Sequence, residues 1–426
     1  MPIVSSLGLT NTMDGARGGV MPDFSAAGAA RSSRTLDASL GALVLLVLLG
    51  LNLRPFLTSV GSVLDVVRED TGLGFRAAAM LTTLPFVLMG AVAGAGVGLA
   101  RRFGEKPTLT IALMLLAAGC ASRMGASDSA GLITGAGLAG AGVAIIQALM
   151  PGLAKRWFPD RVPLAMGLYS AALVGGGAFG AVASPWLASH GGWHLALAIW
   201  ALPALGTLAL WLAGAPRSAV RVASAPVPIK VTAFFGNLRA WQLAAYFGLA
   251  NSGYSSLVAW LPSFYRQLGM SAQGCGNLLA SMAVFQATGA LVMPILARHA
   301  VDRRGTLWLT LAFQAAGFTG FTLLPTFASW WWVACAGLGL GGFFSLSLIL
   351  TLDHLPDAQR AGTLAAFVQG IGFLIVAAGP WLIGWLRDAG GSFATAWLMH
   401  LAVVVAMAAL TAVFSPASYS HSMDRA

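Results

Sequence analysis

The sequence predicts an all-α membrane protein of twelve transmembrane helices, arranged as two six-helix pseudo-repeats. Three observations carry that prediction. The 426 residues are 58% hydrophobic and only 9% charged, with a mean hydropathy of +0.80, whereas a soluble domain needs far more charge to cover its surface. Twelve apolar runs follow one another, at 40–66, 77–100, 107–124, 130–153, 163–187, 194–214, 239–262, 273–297, 307–324, 329–352, 362–386 and 393–414. Each is close to the roughly 20 residues that cross a bilayer. The segment 215–238, "APRSAVRVASAPVPIKVTAFFGNL", is the one extended polar stretch between runs, and it parts them six and six.

In chain order, residues 1–37 are Gly, Ala, Ser and Arg without a sustained apolar period, so a flexible cytoplasmic tail is expected. A cleaved signal peptide is not expected, because the first apolar core begins near Leu40 and is long enough to span. A first bundle then occupies 38–214, a cytoplasmic linker 215–238, a second bundle 239–414 and a short cytoplasmic tail 415–426. With the N-terminus inside, 18 Lys and Arg fall on inner segments and 5 on outer ones, namely Arg68, Arg76, Arg123, Arg266 and Arg387. The positive-inside rule therefore places both termini in the cytoplasm. The net charge of +10 is thus a matter of topology, and no nucleic acid partner is expected. Cys120, Cys275 and Cys335 lie inside runs without CxxC spacing and read as small buried residues.

The two halves echo each other. "SPWLASHGGW" (184–193) aligns with "GPWLIGWLRDAGGS" (379–392), and Gly72 aligns with Gly269 at an offset of 197 residues. Two six-span repeats joined by a cytoplasmic linker resemble the major facilitator transporters, which bind their cargo between the halves at mid-membrane. "VGLARRFGEK" (97–106) also resembles that family's loop Gly-x-Leu-Ala-Asp-Arg-x-Gly-Arg-Lys. Leu99, Ala100, Arg102, Gly104 and Lys106 match, whereas Arg101 stands where the family has an acid. The corresponding loop of the second half reads "DRRG", Asp302 to Gly305. Arg102, Lys106, Asp302 and Arg303 are accordingly the candidate gating residues.

One charge lies in the middle of a span. In "LGLNLRPFLTSV" (49–60), Arg54 is followed at once by Pro55. At 1.5 Å per residue Arg54 lies about 20 Å from the inner end of its helix, too deep to reach either interface comfortably. An intramembrane cation costs at least ~2.5–3.5 kcal/mol and so faces a cavity or a partner. None of the 14 acids falls at mid-depth. Pro55 withdraws the N–H that Leu51 needs, which bends the helix. Arg54, Thr58, Gly61 and Asp65, spaced 4, 3 and 4, share one face. A guanidinium without a carboxylate suits a small anion.

The repeat points across the axis to Asn251, Tyr254 and Ser255 in "GLANSGYSSLVAWLP" (248–262). Asn52, Gln147, Tyr169, Gln286 and Gln369 complete the candidate substrate-binding set; each amide is either cavity lining or an interhelical bond. His400 reads as structural. The glycine-rich runs at 90–98, 135–142, 175–180 and 337–342 lie inside spans and serve close helix packing, not phosphate binding.

"LNLRPFLTSVG", "GVAIIQALMPGLAKRWF", "PLAMGLYSAALVGGG", "YFGLANSGYSSLVAWLPSFY", "LDH" and "FVQGIGF" together resemble the bacterial cyanate-transporter family, a branch that includes 2-nitroimidazole transporters. The resemblance spans about residues 40–415. It implies a bacterial inner-membrane carrier of a small anion or flat polar solute, working by alternating access. A proton-coupled carrier of nitroheterocycles or drugs and a non-transporting sensor remain alternatives at this stage. A membrane enzyme would need acids, His or Cys clustered at one depth, and no such cluster is present. No cofactor or metal is expected, and a monomer in the lipid bilayer with a small-molecule substrate is.

Overall fold

The computed structural model describes residues 40–92, 99–100, 102–158, 161–214 and 231–423. Among them the chain forms twelve long helices: α1 (Leu40–Thr71), α2 (Phe75–Val92), α3 (Glu105–Ala121), α4 (Ser129–Trp157), α5 (Val162–Ala198), α6 (Ala201–Gly214), α7 (Leu238–Gln267), α8 (Ala272–Ala297), α9 (Arg304–Leu323), α10 (Ser329–Asp353), α11 (Ala358–Asp388) and α12 (Phe393–Thr411). Nine of these are long and apolar enough to cross a membrane by themselves. Of the other three, α6 has 14 residues, and α7 carries the polar run Asn251 to Ser256. The 1–37 tail, residues 215–230 of the linker, and Arg101 lie outside the described residues.

Side chains and glycines set the helix ends. Asp128, Asn237, Ser271, Asp357 and Ser392 each accept a hydrogen bond from the backbone N–H three residues on, capping α4, α7, α8, α11 and α12. Gly72 and Gly269 close the turns after α1 and α7 with φ of 67° and 89°. Gly390, with φ of 83°, does the same after α11, and Gly192, with φ of 76°, breaks α5 from within. These left-handed conformations suit glycine alone without strain. In the first half the turn is narrower than the sequence indicates. Helical structure runs through His190 and Gly191, and Gly192 is the single break within α5.

Helix α1 is interrupted where Pro55 predicts. Leu53 and Arg54 form a turn, and the helix restarts at Pro55. The Leu51 carbonyl, deprived of its helical donor, faces Gly176 of α5 so closely that a Cβ there would collide with it.

The packing repeats itself. Helix α1 lies on α5, α2 on α4, and α3 on α4 and α6; the second half has α7 on α11, α8 on α10, and α9 on α10 and α12. Bonds repeat as well. Thr58 donates to the Gly177 carbonyl at 2.8 Å, and Ser255 to the Val376 carbonyl at 2.8 Å. Glu105 pairs with Arg156, as Arg303 does with Asp353, the charges exchanged between the halves.

Between the halves, α1 meets α7, α2 meets α11, and α5 meets α8. These seams are tight at the far face, where α1 ends. Gly61 presses on the Val258 carbonyl, Gly384 on that of Phe75, and Gly276 on that of Ala181. Ser263 donates to Asp65 at 2.7 Å, and Asp388 accepts from the N–H groups of Phe75 and Arg76 at 2.9 and 3.0 Å. Above this seal a shallow far-face cavity of about 310 Å³ is lined by Asp65, Arg68, Glu69, Arg266 and Gln267. At the near face, where α1 begins, the described parts of α4 and α5 do not pack closely on α10 or α11. A cavity of about 220 Å³ lies there between α2, α4 and α11.

The chain after α12, expected as a tail, is seated on the second half as far as Met423. Asn237 donates to the Ser422 carbonyl at 3.1 Å, and Tyr419 stacks on His354 with ring centroids 4.1 Å apart.

Because a side chain at Gly61 cannot coexist with the Val258 carbonyl, Gly61→Val holds the far-face seam open. In a chain freed of its three native cysteines, Ser62→Cys is expected to react with a membrane-impermeant maleimide several-fold faster when Gly61→Val is also present. Equal rates contradict the assigned seam.

Candidate solute-binding site

The break in α1 points Arg54 across the molecule. Its Nη1 donates to the Tyr254 hydroxyl of α7 at 3.1 Å, and its guanidinium carbon lies 5.1 Å from the centroid of that ring. Tyr254 is held in turn by an edge-to-face contact with Phe86 of α2, at 6.4 Å. Residues of both halves thus converge on one cation. Tyr169 of α5 packs against Gly50 one turn below and lies within electrostatic range of Arg54.

Among the described residues, Arg54 Nε, the Tyr169 hydroxyl, Gln147 Oε1 and the Thr83 hydroxyl are buried and make no hydrogen bond. Buried polar groups are nearly always paired, so unpaired ones such as these are free to bond a solute. No carboxylate forms an ion pair with Arg54 among the described residues; those pairs are Arg76–Asp388, Glu105–Arg156, Arg303–Asp353 and Asp302–Arg304. The site therefore offers a cation, a phenol ring and unused donors, in a setting that lacks a counter-charge.

The near-face cavity is a separate feature among the described residues. Its walls include Met89, one turn from Phe86 on α2, with Gln147 of α4 and Gln369 and Phe373 of α11. Gln147 and Gln369, far apart in sequence, face the same space, and Gln147 Oε1 makes no hydrogen bond among the described residues. Met89 and Phe373 escape sequence reasoning, because an apolar cavity wall and a lipid-facing residue look alike in a hydropathy pattern.

Other residues singled out in the sequence are committed elsewhere. Asn52 is 6% exposed and donates to the Leu48 carbonyl at 2.7 Å and to Thr207 of α6 at 2.9 Å, on the side of α1 away from Tyr254. The hydroxyls of Thr58 and Ser255 bolt α1 to α5 and α7 to α11, as described above. Asn251 donates to the carbonyl of Phe247 in its own helix. Gln286 belongs to α8, and its backbone is packed by Gly337 and Gly341 of α10. His400 pairs with Ser256 at 2.9 Å and stacks on Phe318, inside the second half.

Of the four candidate gating residues, Arg303 alone forms an ion pair across two helices among the described residues, with Asp353 at 3.0 Å. Asp302 caps Arg304 instead, and those hydrogen bonds hold its carboxyl below the usual aspartate range. Arg102 is exposed with its guanidinium 5.5 Å from the Phe103 ring centroid, and the Lys106 carbonyl accepts from the Trp211 indole. In the first half the ion pair is made by Glu105 and Arg156, one residue before Lys106 and near the end of α4.

Residues 42–380 match the Major Facilitator Superfamily. The chain belongs to that superfamily. It is 46% identical over 381 residues to the cyanate transport protein CynX of Escherichia coli K12, covering 88% of this chain and 98% of that one. It is also 29% identical over 370 residues to the 2-nitroimidazole transporter of the same bacterium, covering 87% and 93%. Among solved structures it resembles a D-xylose–proton symporter, with a TM-score of 0.69, 15% identity and 86% and 97% coverage. A bacterial homologue of the lysosomal transporter Spinster gives 0.67 at 16% identity, with 90% and 96% coverage. The chain is a multi-pass membrane transporter of small solutes.

The hydrogen bond from Arg54 pins its guanidinium to the second half. Tyr254→Phe is expected to weaken small-anion binding about 3- to 10-fold, the range of the net contribution of one ordinary hydrogen bond. The thermal stability of the unliganded protein should stay within about 2 °C of wild type, read side by side with the titration.

Proposed function

We propose that this transporter carries a small monovalent anion of cyanate type across the bacterial inner membrane by alternating access, with Arg54 as the anion anchor. The observation that supports it most is Arg54 itself, a cation between the halves with unused donors and no carboxylate partner. A planar guanidinium binds oxygen or nitrogen acceptors of a small anion through paired hydrogen bonds. Tyr254 and Tyr169 flank it, and Gln147 and Gln369 line the exit toward the near face. The resemblance to CynX favours cyanate within that class.

In this reading the near face is cytoplasmic, both termini lie inside, and the monomer is the working unit. The structure then corresponds to the inward-open state, with the seams at Gly61, Gly276 and Gly384 closed. Anion binding to Arg54 neutralises the charge between the halves, so the near-face ends of α4, α5, α10 and α11 can approach while the far-face seams part. The exchanged ion pairs Glu105–Arg156 and Arg303–Asp353 brace each half at the near face, so that each moves as a unit.

A second reading rests on the near-face cavity. Its two amides and apolar walls fit a flat polar ring, and one relative is named a 2-nitroimidazole transporter. Counterflow in proteoliposomes separates the two. Labelled cyanate is expected to accumulate against unlabelled cyanate in wild-type vesicles, with uptake lowered at least tenfold by Arg54→Gln. Flux of 2-nitroimidazole alone, unchanged by that substitution, overturns the anion assignment.

A further inference from the structure

A second arginine lies inside the first half. Arg123 follows α3, in the segment that the sequence assigns to the outer loop. Ser122, Met124 and Gly125 of the 3₁₀ turn Ser122–Gly125 are exposed, yet the Arg123 side chain turns inward and is 1% exposed. Its Nη1 donates to the Phe56 carbonyl at 3.0 Å, and its guanidinium carbon is 5.9 Å from the Phe56 ring centroid. Its Nη2 is buried and makes no hydrogen bond, and no acid forms an ion pair with it among the described residues. Gly135 of α4 clears the space for its stem: a Cβ at that glycine would stand 3.2 Å from Arg123 Cγ.

The position is informative. Phe56 is two residues beyond Arg54, just past the break in α1. Arg123 therefore approaches the same stretch of α1 that Arg54 leaves toward the cavity. The first half thus holds two cations close to one turn of α1, Arg123 buried and Arg54 half-buried, and neither forms an ion pair with a carboxylate among the described residues. A single buried charge without a partner is costly, and two neighbouring ones raise the positive potential at the site further.

We infer that Arg123 sets the charge selectivity of the solute site: without touching the solute, its buried guanidinium strengthens the binding of anions at Arg54. The inference rests on the proposed anion reading. Arg123 contributes through its field, and the transported anion is the counter-charge that both arginines share. Over the roughly 10–15 Å across α1, at an effective dielectric of ~20, Coulomb's law makes one unit charge worth about a tenfold change in anion affinity. The same field disfavours cations by a similar factor.

The test separates charge from architecture. Arg123→Lys keeps the charge, whereas Arg123→Met and Arg123→Gln remove it. Nitrate and cyanate dissociation constants are measured on purified protein in nanodiscs, together with the melting temperature without ligand. Arg123→Lys should bind both anions within about threefold of wild type, and Arg123→Met and Arg123→Gln about tenfold more weakly. Stability should follow a different order, with Arg123→Met at least as stable as Arg123→Lys, because an unpaired buried charge has been replaced by an apolar chain. Affinities that follow melting temperature across the series, or a Met variant that binds as wild type does, overturn the inference. A wild type that binds no small anion overturns the anion-carrier reading itself, and this inference with it.

Discussion

The structure turns on a cation placed where water is scarce and no carboxylate answers it. Arg54 stands at an interruption of α1 that Pro55 imposes, and the interruption turns its side chain toward the other half of the molecule. A charge in that position needs compensation. Tyr254 supplies part of it through its hydroxyl and ring face, and in the proposed reading a bound anion supplies the rest. Both halves then have a stake in the same group, which is what coupling between occupancy and closure requires.

Around that point the pseudo-repeat supplies the machinery. Equivalent hydroxyls, Thr58 and Ser255, tie equivalent helices, and the near-face ion pairs occur in both halves with their charges exchanged. Contacts between halves also fall close to equivalent positions. Gly61 meets Val258, its partner at the 197-residue offset, and Asp65 meets Ser263, one residue beyond its own. Residues that touch their own equivalents lie on the pseudo-twofold axis, so α1 and α7 cross it at the far-face seal. Two rigid halves rocking about that axis exchange one open face for the other.

Much of this is legible in the sequence, for physical reasons. Apolar runs long enough to span have few alternatives to helices in lipid, and glycine at a positive-φ turn leaves a mark such as the Gly72 and Gly269 match. Arg54, Gly61 and Asp65 share a face because helical spacing obliges them to, and all three meet α7. Thr58 belongs to the same stripe yet donates to α5, and Asn52 donates to α6, bonds that helical spacing by itself does not single out. Arg123 was hidden because a single side chain turned inward at a helix end, between the exposed Ser122 and Met124, leaves no mark in a hydropathy pattern. The apolar cavity wall of Met89 and Phe373 has no signature apart from lipid-facing neighbours.

The most direct measurement is ligand-induced thermal stabilisation of the purified protein, wild type beside Arg54→Ala. The panel holds cyanate, nitrate, bicarbonate, small carboxylates and neutral nitroimidazoles. Binding to the folded state raises the melting temperature by mass action. A small anion that stabilises wild type and leaves Arg54→Ala unmoved is the predicted result. A neutral ring that stabilises both equally, with every anion inert, contradicts the account and makes Arg54 a structural residue.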